Sequence, residues 1–400
     1  MAAKYFKRSI FSLLVIFSLL LDSDAVQGWG SLSKEEDLEL NRQLKLINKP
    51  AIKTFQTEDG DIVDCVDIYK QLAFDHPLLK NHTIQMKPKT IPKGMKDEAS
   101  TADSFSKYMP NNISCPQGSV PIRRTTKEEL IIAKYLKSLG RNYPTDSHYS
   151  FTSTIDRPGY HFASLEYRGS TSGARARINI WNPTVTADQF STASLRIVTG
   201  TREQSNSIQA GWGVNQFLDK QNTKLYTYWT ADGYRKTGCF NVLCPGFVQV
   251  SPNITLGLTL QPSTYNGPQS DMVVNIHQDV ATGDWWFMFQ DTYIGYWPKT
   301  IFTSLDEGAS FISWGGEVYS PIYEESPAMG SGHFPEEDYG KSAYISQIQI
   351  IDDDNAFVDP YDRLLKLFVD KPYCYNAILN VRKDAWGHYI YFGGPGNCTF

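Results

Sequence analysis

No apolar stretch in this sequence is long enough to span a bilayer comfortably, which argues against a helical membrane anchor. No block of lysine and arginine stands out, and the formal net charge is only -5 over 400 residues, so nucleic acid is not an expected partner. No CxxC pair occurs and the seven histidines are scattered, so no metal site is expected, and no cofactor either. The common catalytic signatures are missing too. There is no HExxH helix, no GxSxG elbow, and no Asp-Thr-Gly or Asp-Ser-Gly. Ser331 and His333 are close in sequence, but such adjacency is not triad geometry, and Met329–His333 reads as a glycine-rich loop.

What is present points to export. Lys4, Lys7 and Arg8 precede a short apolar run, Ile10 to Leu21, and Ser23 and Ala25 are spaced for cleavage after Ala25. Residues 1–25 therefore read as a signal peptide, leaving no membrane contact after its removal. In an oxidising compartment the six cysteines are expected to form three disulfides. They fall in sequence as Cys65 and Cys115, Cys239 and Cys244, Cys374 and Cys398. Connectivity stays open at this level; nearest-neighbour pairing is the simplest choice. Sequons at Asn81, Asn112, Asn253 and Asn397 fit the same compartment.

The texture of the chain changes between Gly140 and Ser150. Before it the sequence is polar and lysine-rich. Leu38, Leu40, Leu44 and Ile47 suggest a short amphipathic helix. A second helix is expected after Thr126, with Glu129 completing a capping box and Gly140 suiting the stop. This region, residues 26–148, is too poor in core residues for an enzyme and reads as a propeptide. It is expected to fold as a separable piece, cover a cleft and leave on acidification. From residue 149 to 400 short strand-like runs alternate with turns, among them Ala176–Trp181, Lys224–Thr230, Trp285–Asp291 and Ala343–Ile351. His277 to Trp286 reads as a hairpin turning at Thr282, Gly283 and Asp284. No helical period intervenes, so the expected class is mostly β, an antiparallel sandwich or barrel.

With nucleophile signatures absent, carboxylate and amide chemistry remains. Trp314-Gly315-Gly316-Glu317-Val318 places a carboxylate beside two glycines and an indole, where desolvation would raise its pKa. Ile208-Gln209-Ala210-Gly211-Trp212-Gly213 has the same character. For either segment alone, sheet packing is the commoner explanation.

These two segments belong to a series of blocks in order: "CPQGSVPIRRT" from Cys115, "IQAGWGVN" from Ile208, "TYWTADGYRKTGCFNVLCPGFVQ" from Thr227, "GDWWFMF" from Gly283, "GYWP" from Gly295, "WGGEV" from Trp314, "MGSGHFPEEDYGKSAY" from Met329 and "WGHYIYFGGPG" from Trp386. Through them the chain resembles the plant neprosin family, along most of its length. The resemblance implies a signal peptide, an activation peptide and a β-sandwich of two antiparallel sheets. It implies a glutamic endopeptidase that cleaves after proline at acid pH, with a peptide or protein substrate and its own propeptide as inhibitor. It implies an extracellular, apoplastic or vacuolar location. The family's two catalytic glutamates fall on Glu317 and on position 209, where this chain has Gln209. Fungal glutamic peptidases on a similar sandwich work with one Gln and one Glu. Two expectations follow. In one, Glu317 is a general base and Gln209 holds the water and the oxyanion, with Trp212 and Trp314 walling the cleft. In the other, the chain is a catalytically impaired extracellular binding protein.

Overall fold

The computed structural model describes residues 33–95, 114–139, 159–200, 204–215, 222–382 and 384–399. Residues 1–25, expected to be a signal peptide, Asn112 and the Gly140–Ser150 boundary lie outside them. The chain divides into two units, Met1–Lys45 and Leu46–Phe400.

The described residues of the first unit, Ser33 to Lys45, hold most of helix α1, Lys34–Ile47. A capping box starts it: Glu36 N–H donates to Ser33 Oγ at 3.1 Å and Ser33 N–H to Glu36 Oε2 at 2.9 Å.

The second unit opens with a three-stranded antiparallel sheet of β1 (Ala51–Gln56), β2 (Ile62–Asp67) and β3 (Ser119–Arg123). Cys65–Cys115 ties β2 to the segment entering β3. Helix α2, Lys127–Leu139, follows. Its capping box is the one the spacing of Thr126 and Glu129 predicts, with bonds of 2.8 and 3.2 Å.

The remainder is a sandwich. Its seven-stranded sheet contains β4 (Tyr160–Thr171), β6 (Phe190–Thr199), β7 (Asn206–Asn215), β8 (Lys224–Thr230), β9 (Cys239–Phe240), β14 (Ala309–Tyr319) and β17 (Leu365–Val369), in the order β17-β4-β14-β6-β7-β8-β9. The opposing nine-stranded sheet contains β5 (Gly173–Asn179), β10 (Val248–Gln249), β11 (Asp271–Gln278), β12 (Trp285–Phe289), β13 (Thr292–Trp297), β15 (Ala343–Ile351), β16 (Phe357–Val358), β18 (Asn376–Val381) and β19 (His388–Gly393). Every named strand pair is antiparallel. The expected hairpin is β11–β12, closed by Asp279 to Asp284. Cys239–Cys244 closes a short loop at β9, and Cys374–Cys398 pins the last residues beside β18.

Alternate residues of each strand fill the space between the sheets. From β7 these are Ile208, Ala210, Trp212 and Val214; from β14, Ile312, Trp314 and Val318; from β11, Met272, Val274 and Ile276. Each fully buried large side chain contributes about 1.5–3 kcal/mol relative to exposure.

The propeptide region from Leu46 onward falls in one unit with the sandwich and shares its core. Leu79 is fully buried within the main core cluster of the sandwich. Strand β10 ends the nine-stranded sheet, and its edge is capped by a side chain. Gln71 Oε1 accepts from Gln249 N–H at 2.8 Å while its Nε2 donates to Gln249 O at 3.0 Å, as a neighbouring strand would. Asp61 sits between two cations, Lys224 of β8 at 2.6 Å and Arg123 at 2.9 Å. Polar composition hides this dependence, because the few apolar residues of the region are spent on the sandwich rather than on a core of their own.

Candidate active site

Gln209 lies on β7 and Glu317 on β14, with β6 between them. Both point away from the core, since their neighbours Ile208, Ala210 and Val318 point into it. The registers define three rows across the outer face of the seven-stranded sheet. One row runs Glu166, Ser313, Arg196, Gln209, Tyr228. The next runs Ser164, Gly315, Ser194, Gly211, Tyr226, and the third Phe162, Glu317, Thr192, Gly213, Lys224.

The middle row makes a trough. From β4 to β7 it carries nothing larger than a serine. A Cβ on Gly211 would fall 2.0 Å from the carbonyl oxygen of Ala193, and one on Gly315 would fall 2.4 Å from that of Ala163. The backbones approach too closely there for any side chain. Gln209 and Glu317 therefore stand on opposite banks of one bare floor. In a flat sheet, the four-residue offset between their rows would separate them by about 13 Å along the strands.

Tyr226 links the banks. Gln209 Nε2 donates to the Tyr226 hydroxyl at 2.7 Å and to Ser194 Oγ at 2.8 Å. The same tyrosine hydroxyl engages Ser194 and Thr192, the cross-strand neighbour of Glu317. Burial, and then the nearby Glu317 carboxylate, push the Tyr226 and Tyr160 hydroxyls far above the ordinary tyrosine value. Tyr228 is raised by burial, by Tyr234 and by Glu317. These phenols stay protonated at any working pH and can serve as donors.

Gln209 is 2% exposed and Glu317 5%, so both would meet a substrate in a largely dry setting. The Gln209 carbonyl oxygen has no partner. Nε2, the donor expected from the sequence, is the atom directed at the middle row, where Ser194 and Tyr226 accept from it. Both partners of Nε2 are hydroxyls, which donate as readily as they accept. The amide could therefore be turned over with both bonds kept, but as it stands the donor faces the trough.

Trp212 and Trp314 do not wall the cleft; both are fully buried between the sheets. Each lies three residues from its polar partner, an odd spacing that sends it to the opposite face of the strand. The walls are phenolic instead. Tyr160, Phe190 and Tyr319 cluster beside Glu317, with Phe162 against them. Tyr226, Tyr228, Tyr234 and Phe240 cluster beside Gln209. Even spacing was the available signal: Tyr319 is two residues from Glu317. Ser331 and His333 lie elsewhere, with His333 paired to Glu337 at 2.8 Å. Asn81, Asn253 and Asn397 are exposed.

Comparison with known proteins finds likenesses in sequence and in structure. A model of the neprosin activation peptide matches residues 54–166, from β1 into β4. Among solved structures, a scytalido-glutamic peptidase bound to a peptide-based transition-state analogue is similar at 8% identity. It covers 60% of this chain and 98% of that one, with a TM-score of 0.33. SCP-B, a member of the eqolisin family of peptidases in complex with the tripeptide Ala-Ile-His, is similar at 8% identity over 59% of this chain and 98% of its own, with a TM-score of 0.33. The neprosin model itself matches residues 187–395, more than half of the chain, and with it the chain belongs to the neprosin family.

Proposed function

We propose that this protein is a secreted glutamic-type endopeptidase, made as a zymogen whose activation peptide ends near residue 148, that hydrolyses peptide bonds after proline at acid pH. The observation that carries this reading is the buried carboxylate and buried amide on opposite banks of a floor without side chains. A peptide laid along the trough passes between them. Glu317, ionised, takes a proton from a water poised on the scissile carbonyl. Gln209 Nε2, held facing the trough by Tyr226 and Ser194, exchanges one of these hydroxyls for the developing oxyanion and donates to it. Glu317 then returns the proton to the leaving nitrogen. The phenolic walls suit a proline ring, which packs against aromatic faces.

The rival reading, a catalytically impaired extracellular binding protein, draws on the Gln209 amide group, whose donors are both engaged within the protein. A quenched peptide containing one proline, incubated at acid pH with protein freed of its activation peptide, separates the two. Cleavage on the carboxyl side of proline supports the peptidase. Binding of the peptide without turnover supports the rival.

A further inference from the structure

The outer face of the nine-stranded sheet carries a buried histidine that the chemistry above does not use. Val274 and Ile276 of β11 point into the core, so His277 points out. Its Nδ1 lies 3.2 Å from Asn275 Oδ1, its Nε2 has no partner, and it is fully buried. Residues 82–95 of the propeptide region run along this face as a strap. His82 Nε2 is 2.7 Å from the Tyr296 hydroxyl, which also accepts from Gln85 N–H at 3.0 Å. Gln85 Nε2 donates to Asp284 at 2.5 Å. The Lys89 and Thr90 N–H groups donate to the two oxygens of Asp279 at 2.8 and 3.1 Å. Lys93 exchanges backbone bonds with Asn355 and Phe357. Met95 reaches the Asn275 amide at 3.3 Å. The strap thus touches residues on both sides of His277.

We propose that this strap is an acid-released closure of the outer sheet face, and that protonation of His277, assisted by His82, is what releases it. A ring sealed from water with an unpartnered nitrogen tolerates only the neutral form. Burial pushes His277 from its ordinary 6.5 down to about 4, against the opposing charge of Asp279. Burial also lowers His82, against the opposing charge of Asp284. Arg175 stands across the ladder from Asn275 on the same face.

The sign follows directly. Both imidazoles bind protons more readily once the strap lifts and water reaches them. Closure is therefore fully favoured above pH 6.5, and for His277 it weakens tenfold per pH unit from there to about pH 4. Asp279 acts in a lower window. Burial alone would raise its carboxyl, but hydrogen bonds from Thr90, Lys89, Thr282 and Ala281 together hold it below its ordinary value. It favours closure until the pH falls through that lowered value.

The proposal requires the strap but not the chemistry assigned to Glu317, so either can fail alone. Hydrogen exchange on the full-length protein tests it, read at the amides of Gln85, Lys89, Thr90 and Lys93 and corrected for intrinsic rates. Protection is expected to fall by about 300-fold between pH 6.5 and 4, the integrated effect of one such histidine. The β2 amides of Val63 and Val66 serve as the fixed reference. In His277→Asn the fall should shrink to the smaller share that His82 supplies. If that variant does not fold, His82→Gln decides, with a shallower slope than the parent. Strap protection that stays constant from pH 7.5 to 4.5, or that falls equally in parent and variants, overturns the proposal.

Discussion

The two outer faces of the sandwich make opposite use of the same architecture. The seven-stranded sheet presents serines, glycines, an amide and a carboxylate, with aromatic rings kept to the margins. The nine-stranded sheet presents Val248, Val250, Trp286 and Tyr296, and the propeptide region covers them with Ala73, Phe74 and Ile84. The expected cover over the cleft is not where the described propeptide contacts lie; they fall on the second face and at the sheet edges. An apolar face needs a lid to stay out of water, whereas a polar trough persists with its groups paired to one another.

Several changes would break or sharpen that contrast. The largest effect belongs to Glu317→Gln, which removes the carboxylate assigned as the base. Hydrolysis should drop by about 10³–10⁴-fold, with thermal unfolding little changed. Gln209→Ala should lower kcat by about 10²–10³-fold, the usual loss for one oxyanion donor. Its companion, Gln209→Glu, is read in the pH profile. Two facing carboxylates titrate as a coupled unit, so a second ionisation should enter an acid limb that in the parent reflects Glu317 alone. In the main core, Leu79→Ala should cost about 2–5 kcal/mol in stability of the full-length chain. A loss confined to propeptide strands, with the sandwich transition unmoved, would show that the region is an appendage after all. The smallest effect is expected of Trp314→Phe. KM should stay within about twofold, because the indole is part of the core and not of the cleft.

Much of this was legible before any coordinates. Alternation in Lys224–Thr230 gives a strand with those bounds, Thr126 and Glu129 give the capping box, and Thr282 to Asp284 give a hairpin turn. Gln209 and Glu317 stand out because glycine and tryptophan surround them. The same neighbours mislead about the walls. Both tryptophans are near in sequence but on the wrong face, and strand parity, applied strictly, would have replaced them with tyrosines. The attachment of the propeptide region was not legible. It rests on single residues, Leu79 in the core and Gln71 at the edge of β10, whose partners are more than a hundred residues away. No local period reports such contacts.

The claim that one trough joins Gln209 and Glu317 is tested most directly by a double-mutant cycle in kcat/KM at acid pH, using Gln209→Ala, Glu317→Gln and the pair. If the two act on one water and one carbonyl, the double variant should be about as slow as Glu317→Gln alone. If the two losses multiply, the residues serve independent ends and the account of a shared site is wrong.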